Sequence, residues 1–451
     1  MSNAESPTRI PPPESALEGL YAAHFATVAD RYTAALAATG FDGAVIPAGG
    51  LRMLFRDDHS YPFKPNPQFR LWVPEPAPDC AVVFEPGKRP VLVFHQAVDY
   101  WHAPPELPSA WWARHFDVAV IREPTELPQH VRKGPRWALL GEPCGPAEGL
   151  GEPDPAALIA ALDWHRAAKT PYELGCLRRA SFLGAIAHRA AESAYRTGAS
   201  EYDAHIAFCQ AIRSREEELP YNNIIAYGRH GAVLHYQHLD RVRPASAPSF
   251  LIDAGAPCLG YGSDITRTWS AAQDEFAQLV AAVDAAERRL AAQVLPGVDY
   301  ADIHLAAHRE IAAILSGFRI ASGSVEALVE TGVTRVFFPH GIGHLLGLQV
   351  HDVAGLAAGP AGGERPRPPG HPYLRLTRRL EESFVVTIEP GLYFIDPLLE
   401  AARGTAAGAA IDWARVDAFR PFGGVRIEDN VVARQGGAEN LTRDAFGTLG
   451  G

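Results

Sequence analysis

Two stretches of this chain echo one another: Gly198-x-Ser200-x-x-Asp203-x-His205-Ile206-Ala207 and Gly297-x-Asp299-x-x-Asp302-x-His304-Leu305-Ala306. An echo of this kind predicts an internally duplicated domain, and nothing else in the sequence narrows the fold as far. In each copy a glycine precedes a cap residue and an acid, so each copy ends one helical hairpin and starts the next helix. Between them Phe276, Leu279, Val280 and Val283 keep the i, i+3, i+4, i+7 pattern of a helix lying on a core. Strand-like runs follow each helix pair, at 250–253, 264–269, 384–388 and 425–432. The expected unit is therefore a sheet covered by helices. His205 and His304 sit one turn inside their helices, and the repeat accounts for both without chemistry.

Upstream of the echo the pattern changes. Apolar runs at 43–46, 81–84, 91–94, 118–121 and 137–140 alternate with helical spacings at 17–38 and 155–164, which predicts an α/β domain. Thr170-Pro171-Tyr172-Glu173 supplies an N-cap, a proline at the first helical position and a capping-box glutamate. The boundary is placed there, giving an amino-terminal α/β domain over 1–167 and a second domain over 168–451. A length of 451 residues agrees, being too great for one ordinary core. The Pro/Gly-rich stretch 354–372 and the small-residue run 401–410 read as surface loops.

Composition excludes several functions. No apolar stretch approaches the roughly 18 residues of a membrane span. The start carries no basic-then-apolar signal, and Pro11, Pro12 and Pro13 interrupt it, so no export is expected. Cysteines at 80, 144, 176, 209 and 258 are odd in number and without paired spacing, which fits a reducing, cytoplasmic compartment. A net charge of -11 argues against a nucleic-acid partner.

Five residues in apolar surroundings carry the chemistry. Asp253 ends one strand-like run and Asp264 opens the next, so two carboxylates face one another. Singly, an Asp before Ala-Gly is a turn former; as a pair in strand-forming sequence they are costly to bury without a cation. His344 stands in Pro339-His340-Gly341-Ile342-Gly343-His344, Glu389 in Thr387-Ile388-Glu389-Pro390-Gly391, and Glu428 in Gly424-Val425-Arg426-Ile427-Glu428-Asp429. Four carboxylates with one imidazole suit divalent ions of intermediate hardness such as manganese, and are too negative for one ion to balance. Two ions can polarise a carbonyl and lower the pKa of a shared water, so the expected reaction class is hydrolysis.

At these residues the chain resembles the pita-bread metallopeptidases, and among them the bacterial prolidases, which cleave Xaa-Pro dipeptides. The resemblance spans nearly the whole length and includes Asp57-Asp58-His59-Ser60-Tyr61-Pro62-Phe63-Lys64-Pro65-Asn66-Pro67, similar to prolidases and to organophosphorus acid anhydrolases. It implies a curved antiparallel sheet covered by helices in the second domain, and two metal ions, manganese first, with cobalt or zinc as alternatives. Asp253 becomes a ligand of one metal, Asp264 and Glu428 bridging ligands of both, and His344 and Glu389 ligands of the other. Hydroxide bridging the metals attacks the scissile carbonyl, and Glu389 carries the proton to the leaving nitrogen.

The same resemblance implies that Arg426 holds the carboxylates and that His235 and His351 contact the substrate and stabilise the oxyanion. Arg375 grips the substrate's free carboxylate, Tyr221 lines the pocket, and Asp58 reaches across a homodimer to the substrate's amino group. Leu345 and the 354–372 loop depart from the family pattern beside the pocket. The rivals are aminopeptidase P, against which Arg375 argues, and a non-catalytic peptide-binding pita-bread protein, against which the complete ligand set argues. Activity on organophosphorus esters is a further expectation, since the same nucleophile can attack tetrahedral phosphorus.

Overall fold

The computed structural model describes residues 14–101, 103–142 and 145–450; Pro11, Pro12, Pro13 and Cys144 lie outside the described residues. The amino-terminal part runs α1 (Glu14–Thr39), β1 (Gly43–Pro47), α2 (Pro67–Arg70), β2 (Ala81–Phe84), β3 (Val91–His95), β4 (Asp117–Ile121), β5 (Trp137–Leu139), β6 (Glu152–Pro153) and α3 (Ala156–Arg166). Among the described residues these strands form one mixed sheet in the order β4-β3-β2-β1-β5-β6. Pairing is antiparallel across β1–β2 and β2–β3 and parallel elsewhere. Successive strand residues face opposite sides. Ala44 and Ile46 accordingly join one apolar cluster with Leu17, Tyr21 and Trp72, whereas Val45 joins another with Ile121 and Leu139. Burial on both faces is why these strands read as continuous apolar runs.

Thr170 caps α4 (Pro171–Arg196) as its sequence implies: Glu173 N donates to the threonine hydroxyl at 3.4 Å, and Thr170 N to the glutamate at 2.8 Å. Then follow α5 (Glu201–Ile212), β7 (Ile224–Tyr227), β8 (Ser249–Asp253), β9 (Pro257–Cys258), β10 (Tyr261–Gly262), β11 (Thr266–Ser270), α6 (Glu275–Ala291) and α7 (Tyr300–Gly317). The remainder comprises α8 (Val325–Glu330), α9 (Val333–Phe337), β12 (Val385–Ile388), β13 (Gly391–Tyr393), α10 (Asp396–Ala402), α11 (Ala406–Ala409), α12 (Trp413–Phe419), β14 (Gly424–Arg426), β15 (Asp429–Val432), β16 (Glu439–Asn440) and α13 (Leu441–Thr448). Strands pair antiparallel as β11-β8-β7, β12-β15-β16 and β13-β14, and a bridge between Thr266 and Glu428 joins the two halves. Helices flank them, which is the pita-bread arrangement of an antiparallel sheet covered by helices.

The echoed segments do lie between packed helix pairs, α4 with α5 and α6 with α7. Their caps differ. Ser200 and Asp203 form a reciprocal capping box, whereas Asp299 makes no cap bond and instead accepts from Arg365 Nη2 at 2.7 Å.

Three expectations need correction. The strand expected from 264 begins at Thr266, and the single strand expected over 425–432 is interrupted at 427 and 428. A ladder fixes side chains alternately up and down, and stepping out of it lets Asp264 and Glu428 turn towards one point. The run 401–410 is not a loop: it closes α10 and forms α11, because alanine favours helix and the Thr405 hydroxyl accepts from Gly408 N. The 354–372 stretch is a loop as expected, carrying only the bridge Ala357–Glu364. Among the described residues no helix is long and apolar enough to cross a membrane, and the four described cysteines form no disulfide.

Candidate metal centre

Short antiparallel strands that stop and restart bring the carboxylates together. Asp253 is the last residue of β8, Asp264 lies between β10 and β11, Glu389 between β12 and β13, and Glu428 between β14 and β15. His344 comes from a segment laid along β12, with Thr387 N donating to His344 O at 3.0 Å and Glu389 N to Ile342 O at 2.8 Å. The preceding Gly343 has φ +149, and a Cβ there would stand 2.2 Å from Thr387 O and 2.4 Å from the Tyr300 hydroxyl. Only glycine lets this segment approach β12 closely enough to deliver the imidazole. Ligand atoms of Asp264, His344 and Glu428 all lie within 4.8 Å of one another. His344 Nε2 is 3.3 Å from Asp264 Oδ2 and 4.0 Å from Glu389 Oε1, while its Nδ1 is 2.9 Å from Leu345 O. With Nδ1–H donating to that carbonyl, the Nε2 lone pair is left facing the carboxylates.

The protein's own cations do not balance this cluster. Arg426 Nη2 donates to Asp253 Oδ2 at 2.7 Å, its Nη1 to the Tyr393 hydroxyl at 3.0 Å and its Nε to Thr266 Oγ1 at 3.2 Å. Thr266 Oγ1 in turn donates to Glu428 Oε2 at 2.7 Å. Burial, then the charges of Asp264, Glu389 and Asp253, hold the Glu428 carboxyl well above its ordinary range. Burial also raises Asp253 against the pull of Arg426, and raises Glu389 to about 7 despite His344 and Arg426. Asp264 alone falls: burial pushes it up, but the hydrogen bond and charge of His344 outweigh that.

Tyr221 gives the sharpest sign that a cation belongs here. Its hydroxyl lies 2.8 Å from Asp253 Oδ1 and 2.5 Å from Asp264 Oδ1. The hydroxyl has one proton to donate, so with both carboxylates ionised one contact sets acceptor against acceptor. Oxygen-rich donors with one imidazole and surplus negative charge fit divalent ions, and their number fits more than one.

Above the cluster opens a cavity of about 770 Å³, lined among others by Val233, His235, His351, Arg375, Phe394 and Arg420. His235 and His351 stand exposed at its wall, the latter 4.4 Å centroid to centroid from the His344 ring. Although His351 opens to solvent, the protein packed around its ring desolvates it in part, and this, then the neighbouring His344, lowers it to about 4, leaving it a neutral donor at pH 7. Arg375 is exposed at the rim. Tyr221, expected as a pocket residue, is not among the lining residues; it sits beneath, on the two aspartates. Asp58 is outside the cavity of its own chain, with a side chain 93% exposed beside His59.

Several contributors escaped sequence reasoning. His340 lines the cavity with Nδ1 3.6 Å from Glu389 Oε2, and its Nε2 is 2.8 Å from the Tyr393 hydroxyl. Its place in the same histidine-glycine motif as His344 was the available signal. Glu201 had none, since an acid in the first turn of a helix is ordinary. Fully buried, it accepts from Tyr227 N, His230 Nδ1, the Tyr236 hydroxyl and Asp240 N at 2.7 to 2.9 Å. All four donors belong to the segment that carries His235.

Known proteins resemble the chain throughout. Residues 19–164 match the family described as Xaa-Pro dipeptidase, N-terminal domain, and residues 175–435 match metallopeptidase family M24. The Xaa-Pro dipeptidase of Stenotrophomonas maltophilia (strain K279a) is 51% identical over 435 residues, covering 96% of this chain and 98% of that protein. That of Xanthomonas axonopodis pv. citri (strain 306) is 50% identical over 440 residues, covering 96% and 99%. Among solved structures, Pseudomonas aeruginosa aminopeptidase PepP superposes with a TM-score of 0.72 at 23% identity, covering 93% of this chain and 95% of that one. A zinc-substituted E. coli aminopeptidase P in complex with product gives 0.69 at 22%, covering 92% and 95%. These last two speak to the fold alone.

Proposed function

Because the chain belongs to metallopeptidase family M24 and is a dipeptidase of the bacterial Xaa-Pro type, we propose that its carboxylate centre hydrolyses dipeptides ending in proline, with two divalent ions held by Asp253, Asp264, His344, Glu389 and Glu428. The observation carrying the residue assignment is the convergence of those side chains beneath the cavity, with Tyr221 shared between two aspartates. Asp253 is ascribed to one ion, Asp264 and Glu428 to both, and His344 and Glu389 to the other. Manganese suits this set best, with cobalt and zinc as alternatives. Bound there, the ions would offset the carboxylate charge, polarise the scissile carbonyl and lower the pKa of the attacking water.

The remaining work falls to side chains. Glu389 takes a proton from the attacking water and returns it to the leaving proline nitrogen, a task suited to a carboxyl whose proton affinity burial has raised. Arg426 keeps Asp253 oriented through its hydrogen bond. His235 and His351 donate to the substrate's carbonyl as charge develops. Arg375 binds the terminal carboxylate, and an ion pair there limits the substrate to two residues. An Xaa-Pro bond has no N–H, so recognition rests on shape, and Val233, Leu234, Phe394 and Ile395 offer apolar wall for the pyrrolidine ring.

Residues 1–167 are assigned to dimerisation and 168–451 to catalysis. A homodimer is supported by exposed apolar side chains near Asp58, namely Leu51, Met53, Phe55 and Tyr61; across it Asp58 would meet the substrate's amino group. The absence of disulfides among the four described cysteines supports the cytoplasm. Cleavage of organophosphorus esters is a side activity of the same centre.

The test uses manganese-loaded protein on Ala-Pro, Leu-Pro, Ala-Ala and an Xaa-Pro tripeptide, beside Glu389→Gln. Dipeptides ending in proline should be cleaved, the others at least about a hundredfold more slowly, and the variant should lose about 10²-fold or more in kcat. Equal cleavage of the tripeptide would favour aminopeptidase P. Activity persisting in the variant would remove Glu389 as proton carrier.

A further inference from the structure

The echo that defines the fold has unequal histidines. His205 is satisfied, with Asn223 Nδ2 3.3 Å from its Nδ1 and Cys209 Sγ 3.7 Å from its Nε2. His304 is not. Among the described residues its Nδ1 is buried with no hydrogen-bond partner, and so is Nε2 of His308, one turn further along α7. Residues four apart share a helix face, and His371 from the 354–372 loop closes on that face. Ring centroids stand 4.8 Å apart for His304–His308 and 4.6 Å for each of these with His371. One ring nitrogen from each lies within 4.8 Å of the other two.

We propose that His304, His308 and His371 form a second metal site, separate from the carboxylate centre, which takes one imidazole-seeking divalent ion of the zinc class and clamps the 354–372 loop onto α7. Two histidines at i and i+4 on a helix with a third from elsewhere is an established zinc donor geometry. Zinc at about 2.0–2.1 Å from each nitrogen needs nitrogens about 3.3 Å apart, so closure asks only for ring rotation and a small shift of loop-borne His371. His304 Nε2 is already 2.9 Å from His371 Nδ1. Thr334 Oγ1 lies 2.9 Å from His308 Nδ1, where accepting that proton would leave Nε2 free to ligate.

The surroundings select the ion. Among the described residues no carboxylate belongs to this cluster, which disfavours magnesium, calcium and manganese. Arg335, whose charge acts on His308 and His371, opposes a dication and so demands strong imidazole affinity. Burial lowers His304 to about 3 and His308 to about 2, with neighbouring histidines adding to it, so at neutral pH no proton need be displaced. His371 is half-buried, leaving an entry path and room for water as a fourth ligand. Tyr373 and Arg375 follow directly and line the cavity; occupancy would steady them.

The experiment counts metal after zinc loading and exhaustive dialysis of full-length Asp264→Ala/Glu428→Ala protein, with and without His371→Ala. His371 is chosen because a half-buried loop residue can be removed without opening the core. About one zinc per chain should remain in the first and almost none in the second. Equal zinc in both, or almost none in both, overturns the site. Should the doubly substituted parent not fold, the wild type and His371→Ala are compared, and zinc should protect the 354–372 loop from proteolysis in the wild type alone; equal protection overturns the clamp. Dipeptidase assays on the wild type report separately on the carboxylate centre.

Discussion

Replacing Asp352 should destabilise the protein strongly, because its carboxylate is buried against two buried cations. Asp352 adjoins His351 and is 1% exposed; it accepts from Arg166 Nη2 and, at 2.8 Å, from Lys169 Nζ, which are themselves 3% and 0% exposed. Arg166 ends α3 and Lys169 lies in the link to α4, so the pair ties that connection to the cavity wall. The charges of Arg166 and Lys169 overcome burial and hold the Asp352 carboxyl near 2 instead of its ordinary 3.8. At about 1.4 kcal/mol per pH unit, its ionised form contributes roughly 2–3 kcal/mol at neutral pH. Because the folded value is depressed, that contribution is whole above about pH 4 and fades as pH falls towards 2. Truncation is harsher than protonation, since Asp352→Ala strands two buried cations, at a cost of about 3–5 kcal/mol. Urea unfolding at pH 7, followed by tryptophan fluorescence and circular dichroism, should show an unfolding free energy lowered by that amount. Asp352→Ala combined with Arg166→Leu and Lys169→Met should recover much of it. An unfolding free energy within about 0.5 kcal/mol of wild type, or no recovery in the combination, would refute the reasoning.

Glu201→Gln should loosen the segment bearing His235, because an amide nitrogen cannot accept two of the four bonds; KM for Leu-Pro should rise about tenfold or more with circular dichroism unchanged, and an unaltered KM would show that His235 is placed by other contacts. Arg375→Ala should cost about 10²-fold in kcat/KM on Xaa-Pro dipeptides while sparing Xaa-Pro amides, and equal losses on both would remove it from carboxylate binding. Chelation should lower the melting temperature by exposing the uncompensated carboxylates. In that metal-free protein Glu389 binds protons more tightly folded, about 7, than its ordinary 4.5, so stability should fall as pH rises between those values and manganese should abolish the slope; a flat profile would contradict it.

The sequence by itself determined the duplicated helix starts, the apolar strands and the Thr170 capping box. Each of these is written in a few neighbouring residues, as a period, a cap or a short run, and local physics reads it directly; the five carboxylate and imidazole side chains were legible only as a set, and Arg375 only through the family resemblance. Only tertiary structure decided that strands break at Asp264 and Glu428, that Tyr221 lies under two aspartates instead of in the cavity, and that Glu201 grips the His235 segment. It also separated His205, with partners supplied by its own half, from His304, whose neighbours arrive from α7 and a distant loop. Those outcomes depend on which remote groups are left to satisfy a buried proton, lone pair or charge, and no local pattern carries that information.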